Sequence, residues 1–328
     1  MSKTSYEQYA KDMQNLVRQL PVQLTREQEK QIGKIYLKAF KDIEKKLEKC
    51  TDNKYRQRLL RAYQTQVYDE LYPLIKQGII DETDAILNIQ KESMAELLQE
   101  VLENQTKIVD GKHKLQVLVD ITNKELVEQM VKGKIYYNGR GLDEMIWDAT
   151  KCSKDKLNLA ITSCMAEGMG AAEMAENLKQ FAMGGHRTWS RNKIREKLGS
   201  GYASKYRGGL DYESLRLART TITHQAQIAT INSSRINPYM GGVKWHSNHE
   251  AGRTCDLCNE RDGYIFIIGK EDIPLDHPNG AGWLEPVWMI NGKEATPEEI
   301  AKDMKAWANG EKNSGLMDTI YENKKSKK

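Results

Sequence analysis

The chain has 328 residues, 39% hydrophobic, 7% aromatic and 29% charged, with a formal net charge of +4. That length allows two domains or one domain with a long helical extension, and so polar a composition argues against one large, dense core. A charge balance this close to neutral does not mark a nucleic-acid binder, so such a role would need local clustering. No stretch approaches the roughly 18 apolar residues of a membrane span. The N-terminal MSKTSYEQYAKDMQNL lacks an apolar signal core, so export by the general secretory route is not expected. Five cysteines are few and odd in number. Cys50, Cys152 and Cys164 are scattered through helical sequence and read as reduced thiols, not as a disulfide framework.

Proline distribution divides the chain. Only Pro21 and Pro73 precede residue 237, whereas Pro238, Pro274, Pro278, Pro286 and Pro297 crowd the C-terminal part. The first part can therefore be mostly helical and the last cannot. The first predicted helix opens at Thr25, with Gln28 as its capping-box partner, and presents Ile32, Ile35, Tyr36, Ala39, Phe40, Ile43 and Leu47 on one face. A second is predicted from about Lys54 to Tyr72, with Tyr55, Leu59, Ala62, Tyr63 and Val67. A third, after Asp81 and Thr83, carries Ile86, Ile89, Met94, Leu97, Leu98, Val101 and Leu102. Such narrow stripes suit either an arm that docks on partners or an ordinary helical bundle.

Asp143 and Glu144 mark a helix start, where carboxylates favour the positive dipole end. Further on, GMGAAEMAENL resembles a turn followed by a short helix. Residues 184–209 hold seven Lys/Arg against one Glu, interleaved with Trp189, Tyr202 and Tyr206 and rich in Gly and Ser. This is a surface loop by composition. Arg187, Arg191, Lys193, Arg195, Lys197, Lys205 and Arg207 are its candidate contacts to a phosphate backbone; a solvated loop without a partner fits the same pattern.

From Tyr212 to Arg235 the pattern is helical, with Leu215, Ala218, Ile222, Gln225, Ile228 and Ala229 on one side. Strands are predicted at GVKWH (242–246), YIFII (264–268) and PVWMI (286–290), the last followed by an Asn291-Gly292 turn. A closing helix has Thr296 as N-cap and Pro297 at its first position. The predicted fold is α+β: an extended, mostly helical N-terminal region (1–132), then a small α+β domain with a short antiparallel sheet (133–291), then a helix and basic tail (292–328).

Chemistry concentrates in TCDLCNERDGYIFIIGKEDIPLDHPNGAG (254–282). Two residues between Cys255 and Cys258 allow both sulfurs to face one Zn²⁺ at a tight turn. His277 is the natural third ligand, and His249, His246 and Asp276 are available as a fourth. Structural zinc would stabilise a loop-rich segment with little core of its own. Two thiols packed beside an unrelated turn histidine fit the same residues. A thioredoxin-like redox pair is disfavoured by Asp256 and by the absence of a βαβ context. An HNH-like nuclease, with His277 activating water against a metal-bound phosphodiester, lacks its inventory, because no histidine or cysteine follows His277. Nor is there a Gly-x-Ser-x-Gly elbow, a Gly-x-x-x-x-Gly-Lys loop or a His-Glu-x-x-His.

Three segments, LARTTITHQAQIATINSS, VKWHSNHEAGRTCDLCNERDGYIF and LDHPNGAGWLEPVW, resemble the phage head morphogenesis family, the Mu-F-like minor head proteins of tailed bacteriophages. The residues that carry the resemblance are Ala218-Arg219-Thr220, Trp245, Cys255 and Cys258, Asp262-Gly263, His277-Pro278-Asn279 and Pro286, within roughly 133–291. The resemblance implies a minor capsid protein that binds and does not catalyse. Its place would be the virion, in the capsid interior at the portal vertex, after assembly in the host cytoplasm. Its partners would be the portal protein, packaged double-stranded DNA, and scaffold or major capsid protein, with no membrane. A metal-dependent, HNH-like nuclease is the alternative. One departure stands out: many relatives continue His-Pro-Asn with Cys-x-Cys, where this chain has Gly280-Ala281-Gly282.

Overall fold

The structure is a computed structural model that describes residues 3–47, 53–102, 108–109, 111–134, 139–166, 210–248, 254–311, 317 and 322–323. It is an α+β fold in which long helices precede a small antiparallel sheet. In chain order the elements are α1 (Lys3–Leu47), α2 (Asn53–Leu102), β1 (Ile108–Val109), α3 (Gly111–Val131), α4 (Leu142–Ala166), α5 (Tyr212–Asn232), β2 (Met240–His246), α6 (Asp256–Arg261), β3 (Ile265–Ile267), β4 (Trp283–Ile290), β5 (Lys293–Glu294), α7 (Pro297–Ala308) and β6 (Glu322–Asn323). The chain divides into two compact units: residues 1–23, 79–129 and 221–328 in one, 24–78 and 130–220 in the other.

Two helix boundaries expected from sequence do not exist. α1 runs unbroken through Pro21 and past Thr25, and α2 joins the second and third predicted helices through Pro73. A proline forfeits one backbone hydrogen bond and crowds the preceding turn, which tertiary packing on either side can outweigh. A capping box acts only where the chain leaves the helix, so Thr25 and Gln28 have no orphan amides to serve. Gln28 instead is buried and donates from Nε2 to the Leu74 carbonyl at 3.2 Å. That contact explains a glycine inside α2: a Cβ at Gly78 would stand 1.9 Å from Gln28 Nε2.

In the all-helical unit the predicted stripe is core: Ile32, Ile35, Tyr36, Ala39, Phe40 and Ile43 are all buried, with Leu60, Tyr63 and Val67 of α2. In the second stripe Leu59, Tyr63 and Val67 are buried, whereas Tyr55 and Ala62 are exposed. The buried phenols of this core are paired, whereas Gln28 Oε1 and Gln64 Nε2 are buried without a partner. Tyr36 and Ser214 hydroxyls meet at 2.6 Å, Tyr63 and Ser153 at 3.0 Å, and the two tyrosine rings pack edge-on at 6.4 Å. Burial drives both phenols well above their ordinary range, so they stay neutral. Asp143 and Glu144 occupy the first turn of α4 as expected. Arg219 pairs with Glu29 at 2.6 Å.

In the other unit the sheet order is β3-β2-β4-β5, antiparallel throughout. All three predicted strands are present, and β4 and β5 are joined at Asn291-Gly292, whose φ values of 53° and 77° are those of a two-residue hairpin turn. Val243, Trp245, Phe266 and Leu284 form a buried cluster against which Ile231, Ile268 and Ile273 pack. α7 begins as predicted: the Thr296 hydroxyl accepts from Glu299 N–H and the Glu299 carboxylate accepts from Thr296 N–H at 2.8 Å. α2 and α3 are linked by Asn123 and Asp84, and α5 and α2 by Gln225 and Thr83.

Glu82 on α2 is fully buried, and neither carboxylate oxygen has a hydrogen-bond partner. Burial alone pushes its pKa well above the carboxylate range. The folded state therefore keeps a proton that the unfolded chain releases, and stability falls as pH rises past the unfolded value of about 4.3. Glu82→Gln should raise the melting temperature at pH 7.5, and this gain should shrink towards zero at pH 4; a thermal melt series across that range measures it.

Candidate metal centre

The site is assembled at one end of β2. Trp245 lies in the core and its indole N–H donates to the Ser247 hydroxyl at 3.1 Å. Ser247 Oγ donates to the Cys258 carbonyl at 2.5 Å, and Ser247 N–H donates to Asp262 Oδ1 at 2.7 Å. These bonds tie the short helix α6, and with it both cysteines, to the strand. The Asp262-Gly263 turn reverses the chain into β3, with Gly263 at φ 78° and its N–H on the Trp245 carbonyl at 2.8 Å. The Arg261 guanidinium lies 5.3 Å from the centre of the Trp245 ring.

His277 comes from the loop between β3 and β4. His277-Pro278-Asn279-Gly280 is a β-turn closed by Gly280 N–H on the His277 carbonyl at 2.8 Å, with Asn279 at φ 66°. Proline at the second position and a positive φ at the third make it a type II turn. The turn is anchored by Asp276, whose side chain is 1% exposed. Its Oδ1 accepts the His277 N–H and its Oδ2 the Gly282 N–H, both at 2.7 Å. Any side chain at 280 would collide with this carboxylate, since a Cβ there would stand 2.2 Å from Oδ2.

Helix α5 holds the same loop from the other side. Gln227 accepts the Asp276 N–H at 3.0 Å and donates to the Gly282 carbonyl at 3.1 Å. His224 Nε2 reaches the Asp276 carbonyl at 2.8 Å, which requires that nitrogen to carry the proton. Burial lowers the His224 pKa, with the Asp276 carbonyl and charge opposing, so the ring is a neutral donor. Thr223 donates to the Gly280 carbonyl at 3.4 Å. Sequence reasoning placed none of these residues at the site. Their signal was Thr, His and Gln at the spacing of one helix face between Ile222 and Ile228, a run too polar to be core unless it binds backbone.

The outcome is a trio: one ligand atom each from Cys255, Cys258 and His277, all within 4.8 Å of one another. Cys258 is buried, and Cys255 and His277 are exposed. The Cys255 thiol is held below its ordinary range chiefly by the Cys258 backbone N–H, with help from His277. Burial pushes the Cys258 thiol up to about 12, with Cys255 and Asp276 adding to the rise. Burial lowers the His277 pKa, but the Pro278 carbonyl and the negative Asp276 and Cys255 outweigh it and leave the net shift upward. Two thiols and one imidazole form the soft donor set suited to Zn²⁺.

Of the fourth-ligand candidates, His246 is committed elsewhere: it meets Glu285 at 2.5 Å and stacks on the Trp283 ring at 4.1 Å. His249 lies outside the described residues, as do Arg187, Arg191, Lys193, Arg195, Lys197, Lys205 and Arg207 of the basic segment, the GMGAAEMAENL stretch and the basic tail. Among the described residues, no helix is long and apolar enough to cross a membrane. Comparison with protein-family models, curated proteins and solved structures returned no match.

Gln227→Leu would leave the buried Asp276 N–H and Gly282 carbonyl unpaired, at a cost of about 2–3 kcal/mol. Thr223→Val, which removes one long bond, should cost under about 1 kcal/mol. Urea unfolding of the two variants beside the parent compares them directly.

Proposed function

We propose that this chain is a minor head protein of a tailed phage, acting at the portal vertex by binding the portal protein and packaged double-stranded DNA. Scaffold or major capsid protein is a further partner in this reading, the capsid interior its final place and the host cytoplasm its place of assembly. One observation carries the proposal. Most residues through which the sequence resembles the Mu-F-like family converge in one hydrogen-bonded module: Trp245, Cys255, Cys258, Asp262-Gly263, His277-Pro278-Asn279 and Pro286, held by the part of α5 that follows Ala218-Arg219-Thr220, whereas Arg219 itself pairs with Glu29. Gln227 and His224 bond the backbone of the His277 loop, Ser247 bonds the Trp245 indole and the Cys258 carbonyl, and the Asp276 carboxylate takes two loop amides and the Cys258 thiol. That is the economy of a fastening, and it supports a role in assembly.

DNA contact is assigned to the basic segment 184–209. Counterion release makes such contacts visible as a steep salt dependence of affinity, with a slope of about −0.9 per phosphate neutralised. Replacing Arg187, Arg191, Lys193, Arg195 and Lys197 with Gln together should flatten the salt dependence and weaken duplex binding at low salt, read by fluorescence anisotropy. An unchanged slope removes the DNA role. Portal association is tested by co-purification with a portal oligomer from cells making both proteins, and a chain that never enters that complex sinks the portal assignment.

The alternative, a metal-dependent nuclease, draws on one observation: three metal-type ligands leave a four-coordinate ion one position to fill. Plasmid nicking by the zinc- or magnesium-supplemented protein, lost in His277→Ala, would favour it over the binding role.

A further inference from the structure

We propose that the Asp276 carboxylate is the fourth ligand of a closed zinc site whose other ligands are Cys255, Cys258 and His277. The inference rests on the trio binding a metal at all, and it specifies what kind of site results. A Zn²⁺ ion with three protein ligands and a water is built for catalysis, whereas four protein ligands make a structural clasp. Asp276 decides between them.

Around tetrahedral zinc, with bonds near 2.0–2.3 Å, ligand atoms stand about 3.3–3.8 Å apart. Asp276 Oδ1 lies 3.7 Å from Cys258 Sγ, close to a sulfur–oxygen edge, and 3.9 Å from His277 Nε2, about half an ångström longer than a nitrogen–oxygen edge. Asp276 is not one of the trio mutually within 4.8 Å, so the site closes by movement of Cys255, which is exposed and begins α6.

The surroundings of Asp276 are those of a ligating carboxylate. Oδ2 is held by the Gly282 N–H, which orients the group, while Oδ1, which also accepts the His277 N–H at 2.7 Å, faces Cys258 and the His277 ring. Clamps on the Asp276 backbone from Gln227 and His224 fix it from behind. Hydrogen-bonded support of this kind accompanies metal-binding carboxylates generally. Without an ion, Oδ1 accepts the Cys258 S–H; when zinc displaces that proton, the same lone pair turns to the metal. One divalent cation also relieves the repulsion of a buried carboxylate beside two thiolates.

A neighbouring residue shows that the position has a single occupant. The Asp276 carboxylate fills the space that a side chain at 280 would need, with overlaps of 2.2–2.4 Å.

The full-length chain is stripped of metal and titrated with Co²⁺ and Zn²⁺. The parent should bind one equivalent with a tetrahedral Co²⁺ spectrum that azide does not alter, and X-ray absorption of the zinc form should give two sulfur and two nitrogen or oxygen ligands. Asp276→Asn should weaken Zn²⁺ binding at least ~10-fold. A parent spectrum that shifts with azide reveals an open, water-bearing site and overturns the assignment while the metal reading stands. So does an Asp276→Asn variant of unchanged affinity. A parent that binds no stoichiometric Zn²⁺ or Co²⁺ removes both. Should Asp276→Asn fail to fold, the azide response of the parent still decides.

Discussion

A carboxylate nearly sealed from solvent is costly unless donors surround it, and the donors available to Asp276 are the amides of its own loop. By accepting from His277 N–H and Gly282 N–H it bends residues 276–282 into a compact turn. By offering its own backbone N–H and carbonyl to Gln227 and His224 it pins that turn to α5. The position of His277, the approach of the loop to Cys258 and the start of β4 at Trp283 all follow from this one residue. Gly280 follows too, since the carboxylate occupies the volume a side chain would take.

Around this hub the sheet supplies stiffness. β2 is the central strand, paired on one side with β3 and on the other with β4, and it carries Trp245 into the core. Ser247, two residues on, converts that rigid strand end into an anchor for α6. A six-residue helix has little stability of its own, so Cys255 and Cys258 are held in place by these side-chain bonds and by the Asp262-Gly263 turn. The helical unit solves a different problem. Its long helices bury tyrosines, and each phenol finds a serine hydroxyl from another helix, so that no polar cost accompanies the aromatic burial.

Much of the sheet was legible because local chemistry dictates it. β-Branched and aromatic runs between turns marked β2, β3 and β4; Asn291-Gly292 marked the hairpin; Thr296, Pro297 and Glu299 marked the start of α7. The same local rules misjudged the long helices, where Pro21 and Pro73 looked like boundaries and Thr25 to Gln28 looked like a cap. Those are one- and four-residue signals, and packing along helices of 45 and 50 residues overrides them. At the site, Cys-x-x-Cys and His277 were visible as ligand types, and their convergence was a fair expectation from spacing. His224 and Gln227 were not visible, because a polar residue on a helix defaults to the solvent side until a backbone partner is known to face it.

By itself the sequence determined α5, the strands β2, β3 and β4, the start of α7, the apolar stripe of α1, and the residue kinds capable of holding a soft metal, but it read the residues of α6 as turn. Each of these depends on neighbours within a few positions, where periodicity, turn preference and ligand chemistry act directly. Only the tertiary structure decided that α5 grips the His277 loop, that His246 is drawn to Glu285 and Trp283 instead of the cysteines, and that Asp276 stands beside Cys258. These outcomes turn on which buried polar groups find partners across separations of 18 to 55 residues. Pairing of that kind is a property of the packed chain and not of any segment within it.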